Sequence, residues 1–304
     1  MRHLWLINPN TGQATTKRLQ SWVSGLLPSD VQLTCLTARF GAPYIACEAS
    51  HAVAGHALID AWAHHRATTT TAPDGVVIGC FGDPGLFALR EASGVPVTGL
   101  AEASFIQAGA SGRFAIVTGG VRWPAMLQRL AASLGMESQL AAVEIVEQDG
   151  ATLLADRDLA LNVLSKACQK AAQADVASVI LGGAGLAGYA SALQAHCPVP
   201  ILDSVSAAID LFLADQLPPP PTKVSGASPR AWAAAAQGPG HAAKATGRGR
   251  ARVRRLPEGL HLDPPDGRGG PAPRRSDRHR DDRDPGVVPD QRDPDAGGGR
   301  RGAI

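Results

Sequence analysis

The sequence predicts an α/β protein made of two pseudo-symmetric lobes, each with a parallel sheet, and a site between the lobes. Three observations predict this fold. Short apolar runs alternate with helical patterns, the runs show no polar alternation, and two stretches of the chain resemble each other. Strands that alternate with helices of this length indicate βαβ units. Apolar runs without alternation are typical of strands covered on both faces.

The elements can be placed in order along the chain. Apolar runs rich in β-branched residues, two of which begin at a Val-Pro pair, predict strands at residues 3–8, 32–36, 75–80, 96–98, 114–118, 142–146, 177–182 and 200–202. Helical periodicity between them predicts helices at residues 13–27, 46–65, 84–93, 102–109, 123–135, 153–174, 186–195 and 204–214. A helix after each strand provides the crossover that parallel strands need.

An internal repeat divides these elements into two lobes. The segment VVIGC at residues 76–80 resembles VILGG at residues 179–183, and each is followed by a helical pattern and a Val-Pro pair. The opening strands of the two halves, at residues 4–10 and 114–120, are also similar. These offsets, 110 residues for the opening strands and 103 for Cys80 and Gly183, favour a duplicated α/β lobe. The chance similarity of any two βα turns is the alternative.

Composition predicts four regions in the chain. The lobes are expected at residues 1–103 and 104–217, and a Pro-rich segment with a short helix at 218–239. Residues 240–304 are rich in Arg, Asp, Gly and Pro and are predicted to be disordered, because they cannot bury enough apolar surface. Arginine clusters in this tail could attract nucleic acid. Interleaved acids and the lack of aromatic residues favour a solvated tail, or translation of a shifted or read-through frame, and no nucleic-acid partner is expected.

Charge and cysteine content exclude several classes of protein. The formal net charge is +2, and no apolar run approaches the roughly 20 residues of a membrane span, so no membrane association is expected. The five cysteines have neither CxxC nor metal-ligand spacing, so no metal site is predicted. No signal peptide is expected either, which predicts a cytoplasmic location. Nucleotide-binding motifs and a GxSxG motif are absent from the sequence.

Four strand ends are candidates for the site, because ligands of open α/β sheets bind beyond the carboxyl ends of the strands. These ends are short, polar or glycine-rich, and each precedes a helix, at residues 8–11, 80–83, 118–120 and 182–185. Helix N-termini offer unpaired N–H groups that suit a carboxylate or an enolate-like oxygen.

Cys80 is the strongest candidate for a catalytic residue within these segments. A thiol at a strand end, just before a helix, can act as a base or a nucleophile when its pKa is lowered. A buried structural cysteine is the alternative, since free cysteines are often buried. The other four cysteines lie within strand or helix patterns or in a loop, and we expect them to be structural.

Several motifs together resemble the aspartate/glutamate/hydantoin racemase superfamily, and most closely its hydantoin and allantoin racemase branch. The motifs are INPNT at residues 7–11, GCFGDPGL at 79–86, RFAIVT at 113–118 and LGGAGLAG at 181–188. They stand in the order found in that superfamily. The similarity covers roughly residues 1–238, and GCFGDPGL is fairly specific.

The resemblance implies a cofactor-independent, two-base racemase whose halves each place one cysteine beside the stereocentre. Cys80 occupies the first cysteine position of that pattern, whereas Gly183 occupies the second and cannot hold a proton. The substrate's carbonyl or carboxylate would be held by Asn10 and the strand-end segments. The substrate-binding residues expected from this pattern are Asn10, Phe81, Gly82, Asp83, Thr118, Gly183, Ala184 and Gly185. A homo-oligomer is also implied.

Three hypotheses follow from the missing second cysteine. The first is a racemase or epimerase that acts on an amino acid or its hydantoin- or allantoin-like derivative, with Cys80 as one base and water or another side chain as the second. His51 and His56 are candidates for that second group, although both lie in a helical pattern. The second is a one-base decarboxylase or isomerase on the same scaffold. The third is a non-catalytic protein that binds small carboxylates or ureides.

Overall fold

The computed structural model describes residues 1–148, 153 and 156–221. These residues belong to one compact unit of the chain. The short helix predicted within 218–239 and the tail predicted at 240–304 lie outside the described residues. Among the described helices, none is both long enough and apolar enough to cross a membrane.

The eight strands predicted from the sequence are confirmed, with bounds that differ by at most two residues at either end. The strands are β1 (Arg2–Asn8), β2 (Val31–Thr37), β3 (Gly75–Ile78), β4 (Val97–Gly99), β5 (Phe114–Gly119), β6 (Leu140–Val146), β7 (Ser178–Leu181) and β8 (Ile201–Asp203). The central strands β3 and β7 are buried along their whole length. Continuous burial explains why their sequences are apolar at every position or nearly so.

The helices also match the prediction, apart from two shorter ones. They are α1 (Gln13–Ser24), α2 (Glu48–Thr68), α3 (Leu86–Ser93), α4 (Leu100–Gly109), α5 (Trp123–Ser133), α6 (Arg157–Ala171), α7 (Ala190–Gln194) and α8 (Ser204–Leu213). α6 begins later than predicted because Asp156 caps it by accepting a hydrogen bond from the backbone N–H of Leu159, at 2.9 Å. α7 is short because Gly183 and Gly188, both at positive φ, restrict the preceding segment to a 3₁₀ turn at Ala184–Leu186.

The internal repeat is visible in the topology of the two sheets. All strand pairs are parallel, and the orders β2-β1-β3-β4 and β6-β5-β7-β8 are equivalent. The registers also agree, because Leu4 pairs with Gly75 in one sheet and Phe114 pairs with Ser178 in the other. The two-lobed parallel α/β fold is therefore confirmed. Cys80 and Gly183 lie at equivalent positions, each two residues after its strand ends.

The two sheets are joined by an exchange of helices. α4 follows the first sheet in sequence but packs against strands of the second, whereas α8 follows the second sheet and packs against β3 of the first. At Gly75 in β3, an added Cβ would lie 2.9 Å from the ring of Phe212 in α8. Arg2 fixes the end of α8 by donating to the carbonyl oxygen of Phe212, at 2.5 Å, and to Asp215, at 2.6 Å. The boundary proposed at residue 103 therefore falls inside an exchanged helix.

Candidate active site

A cavity of about 460 Å³ lies at the carboxyl ends of the strands of both sheets. The first lobe lines it with the loop after β1, one face of α1, the loop before α2 and the end of β3. The second lobe contributes the ends of β5 and β7 and the start of α5. The lining residues are Asn10, Gly12, Ala14, Thr15, Arg18, 43–45, 79–81, Thr118, Gly119, Trp123, Leu153 and 182–186. This position is the one that ligand sites take in open α/β sheets.

Cys80 lies at the floor of this cavity, on the short turn that follows β3. Its backbone N–H donates to the carbonyl oxygen of Ile78, at 2.9 Å, and its own carbonyl oxygen accepts from the N–H of Asp83, at 3.2 Å. The residue is only 9% exposed. Burial, with a smaller contribution from the charge of Asp83, raises the pKa of the Cys80 thiol above its ordinary value. The thiol is therefore protonated at neutral pH when the cavity holds no substrate.

Gly183 lines the same cavity from the second lobe. Its φ of 147° and ψ of 133° are close to a region that only glycine adopts without strain. A Cβ built at this position would lie 3.5 Å from Cγ of Leu186, which is an ordinary contact. The backbone N–H of Gly183 donates to Oγ of Ser204, at 3.2 Å. The cavity thus has room for a small side chain here, while the backbone conformation favours glycine.

Asn10 offers a hydrogen-bond donor to the cavity. Its Oδ1 accepts from Nδ2 of Asn8, at 2.9 Å, and from the N–H of Gly12, at 2.8 Å. These two bonds fix the orientation of the amide, because both partners are donors. In the described part of the chain, Nδ2 of Asn10 donates to no protein group. A ligand oxygen could therefore accept from it.

Phe81 and Trp123 shape the cavity by packing against glycines. The ring of Phe81 occupies the space beside Gly182 that a Cβ would fill. The ring of Trp123 lies in the same way against Gly82, which has a φ of 126°. The two aromatic rings therefore fit only because these residues have no side chain, and the rings form an apolar part of the cavity wall.

The structure does not bring Gly82 or Asp83 into the cavity, although the motif GCFGDPGL led us to expect both there. The carbonyl oxygen of Gly82 lies 2.9 Å from Nε2 of His51. The carboxylate of Asp83 is buried and accepts from the backbone N–H groups of Ala101, at 3.0 Å, and Glu102, at 2.7 Å. Asp83 therefore caps α4. Burial outweighs these two hydrogen bonds and raises the pKa of the Asp83 carboxyl to about 7.

The remaining predicted residues are divided between the cavity and the protein interior. Thr118, Ala184 and Gly185 line the cavity together with the residues described above. His51 and His56, the candidates for a second base, are not among the residues that line it. The ring of His56 packs edge-on against Phe40, with the ring centres 5.1 Å apart.

Sequence reasoning missed Arg18, the segment 43–45 and Leu153. Arg18 is the one charged side chain among the residues lining the cavity in the described part of the chain. It lies on the same face of α1 as Ala14 and Thr15, since these residues are three and four positions apart. Helical periodicity after the Asn10 loop was a signal that could have identified it. The segment 43–45 has no regular structure, and no motif marks it.

Comparisons with known proteins agree with this geometry. The sequence model of the family described as Asp/Glu/Hydantoin racemase matches residues 4–212. A hydantoin racemase of Paenarthrobacter aurescens is 32% identical over 205 residues, which cover 67% of this chain and 86% of that protein. A hydantoin racemase of Pseudomonas sp. strain NS671 is 29% identical over 206 residues, covering 67% and 82%. Among solved structures, an allantoin racemase from Klebsiella pneumoniae has a TM-score of 0.65 and 28% identity, covering 71% of this chain and 90% of that one.

Proposed function

Because the chain belongs to the Asp/Glu/Hydantoin racemase family, we propose that it is a cofactor-independent racemase of hydantoin- or allantoin-like amino-acid derivatives. The relatives that are named hydantoin racemase and allantoin racemase support this substrate class. The observation that carries the proposal is the position of Cys80, a thiol at the floor of a cavity lined by two equivalent lobes.

In the proposed reaction, Cys80 transfers the proton at one face of the stereocentre. The C–H bond of such a substrate is flanked by a carbonyl group and an amide nitrogen, which makes it acidic. The Cys80 thiolate removes the proton, and the electron pair moves into the carbonyl to give an enolate. In this proposal Nδ2 of Asn10, which lines the cavity, donates to that oxygen, and strand-end N–H groups add to this stabilisation.

The opposite face requires a different proton carrier. Gly183 occupies the position where the family pattern has a second cysteine, and it has no side chain to hold a proton. A cavity of about 460 Å³ can hold a small substrate and several waters, since one water takes about 30 Å³ of liquid volume. We therefore propose that water beside Gly183 delivers the second proton. The hydroxide that remains takes up the proton held by Cys80, directly or through other waters, which restores the water and the thiolate.

Gly183 also favours a second candidate function, in which only one base is needed. Decarboxylation followed by protonation, or cis–trans isomerisation, would use Cys80 alone. Such an enzyme would not invert a stereocentre. A protein that binds small carboxylates or ureides without turnover is the third outcome to be tested.

The test is turnover of single enantiomers in D₂O. Chiral 5-substituted hydantoins, allantoin, aspartate and glutamate are followed by polarimetry and by mass spectrometry. We expect loss of optical rotation together with deuterium uptake for a hydantoin or allantoin, and a decrease of at least about 100-fold in Cys80→Ala. Cys197→Ala is the matched control, because Cys197 does not line the cavity.

Each other outcome points away from the racemase. Unchanged turnover in Cys80→Ala would exclude Cys80 as the base. Deuterium uptake without inversion would indicate a one-base enzyme, and binding without exchange would indicate a binding protein.

We also propose a cytoplasmic location, supported by the five unpaired cysteines, and a homo-oligomer. Light scattering after size-exclusion chromatography tests the oligomer.

A further inference from the structure

Arg18 presents a cation to the cavity that no acidic side chain in the described part of the chain neutralises. Its Nη2 donates to the carbonyl oxygen of Ala187, at 3.1 Å, which ties α1 to the second lobe. Its Nε is buried and has no hydrogen-bond partner among the described residues. Buried donors are nearly always paired, so the unpaired Nε shows that the described residues leave the hydrogen bonding of this guanidinium incomplete.

The chemistry of the cavity favours an anionic partner for this side chain. The other side chains that line the cavity are neutral hydroxyl, amide, thiol, aromatic and aliphatic groups. A partly buried guanidinium without a counter-ion is unfavourable, and a carboxylate offers two oxygens that match its planar row of donors.

Arg18 is bonded to the second lobe at a residue further along the chain than Gly183. Cys80 and Gly183 lie two residues beyond the ends of their strands, whereas the Ala187 carbonyl that holds Arg18 lies six residues beyond β7. Ala187 itself is outside the set of residues that line the cavity. The guanidinium is therefore tied to the second lobe at the residue that follows segment 182–186.

We propose that Arg18 binds a carboxylate on the substituent of the substrate, so that the preferred substrates are hydantoins with an acidic side chain. This inference rests on the proposed racemase function. Arg18 is then a specificity-determining residue, while Cys80 carries the reaction on any hydantoin that fits.

The test compares two substrates of nearly the same shape, 5-carboxymethylhydantoin, which carries a carboxylate, and 5-carbamoylmethylhydantoin, which carries a neutral amide. In Arg18→Gln, kcat/KM for the carboxylate is expected to fall roughly 10- to 100-fold, mainly through KM, and that for the amide less than about threefold. Arg18→Lys should recover part of the loss. Arg113→Gln is the control, because it also removes one positive charge but at a half-exposed residue that lies outside the cavity.

Equal losses on both substrates in Arg18→Gln would overturn the proposal, because they would show that Arg18 acts through its bond to Ala187. A wild-type enzyme that does not prefer the carboxylate would overturn it as well. Calorimetric binding of the same two compounds separates this proposal from the proposed function. Arg18-dependent binding of the carboxylate without racemisation would refute only the racemase, and failure of both compounds to bind and to react would refute both proposals.

Discussion

Substitution of Gly183 by alanine is expected to destabilise the protein without creating a steric clash. The nearest side-chain atoms to an added Cβ are Cγ and Cδ1 of Leu186, at 3.5 and 3.6 Å, so the methyl group would make ordinary contacts. The cost comes from the backbone, because a φ of 147° with a ψ of 133° is unfavourable for any residue with a Cβ. Strain of this kind amounts to about 1–3 kcal/mol.

Urea denaturation measures this cost against a glycine at an ordinary φ. Gly25 ends α1 with a φ of −77°, so Gly25→Ala is expected to be neutral or to stabilise by up to about 1 kcal/mol. Gly183→Ala should lower the denaturation midpoint with an unchanged m-value. A midpoint equal to or above that of the wild type would refute the assignment of backbone strain to Gly183.

Gly183→Cys extends the same experiment from stability to catalysis. The cysteine carries the same backbone cost as alanine and adds a proton-carrying thiol to the cavity. Racemisation of a hydantoin should therefore be faster in Gly183→Cys than in Gly183→Ala at similar stability. Equal rates in the two variants would contradict the interpretation of Gly183 as the empty second-base position.

Two pH-dependent properties provide the remaining predictions. Since burial raises the pKa of Cys80, the thiolate is the minor form, and kcat/KM for racemisation should rise about tenfold per pH unit from about pH 6 to 8; a flat profile would contradict Cys80 as the base. Asp83 has a pKa of about 7 in the folded protein, against about 3.9 in the unfolded protein. Between these two values the unfolded protein ionises Asp83 more readily than the folded protein does. The free energy of unfolding should therefore be highest below pH 4 and fall as the pH rises to 7, by up to about 4 kcal/mol. Asp83→Asn should flatten that decline in urea titrations, and an unchanged slope would contradict the burial argument.

The fold and the floor of the site could be predicted because both follow from local patterns. Apolar runs and helical periodicity predicted the strands and most helices, and the strand-end rule predicted that Asn10, Cys80 and Gly183 share one cavity. The predicted family is confirmed by the match over residues 4–212. Arg18 was missed because strand-end reasoning does not extend to the face of the following helix.

Asp83 shows why a motif alone does not define a site. Its carboxylate reaches the N-terminus of α4, an element 18 residues further along the chain, and this contact depends on the packing of two loops. At Gly99, any Cβ would overlap the Asp83 carboxylate. Neither relation is visible in local sequence, and both remove Asp83 from the cavity.

In the second lobe an aspartate also caps the helix that packs against the other sheet, but this aspartate lies at the strand end and not in the loop. There Asp203, which is equivalent to Gly99, accepts hydrogen bonds from Val205 and Ser206 at the start of α8, both at 3.0 Å. Its other oxygen accepts from the N–H of Gly188, at 2.7 Å, in the loop equivalent to that of Asp83. Each lobe therefore uses one carboxylate at this junction, and its source is exchanged between the loop in the first lobe and the strand end in the second.

This exchange explains how a symmetric fold tolerates an asymmetric site. Each lobe needs one carboxylate to bind the N–H groups of the helix that crosses to the other sheet, and either the loop or the strand end can supply it. That requirement involves only the backbone of the residue two positions beyond β3 or β7, because the carbonyl oxygen of Cys80 accepts from the N–H of Asp83 and the N–H of Gly183 donates to Ser204. Cys80 and Gly183 can therefore differ in their side chains without loss of the capping that holds the lobes together, and the capping carboxylate Asp83 acts on the chemistry of the first face only through its charge, which contributes to the raised pKa of Cys80.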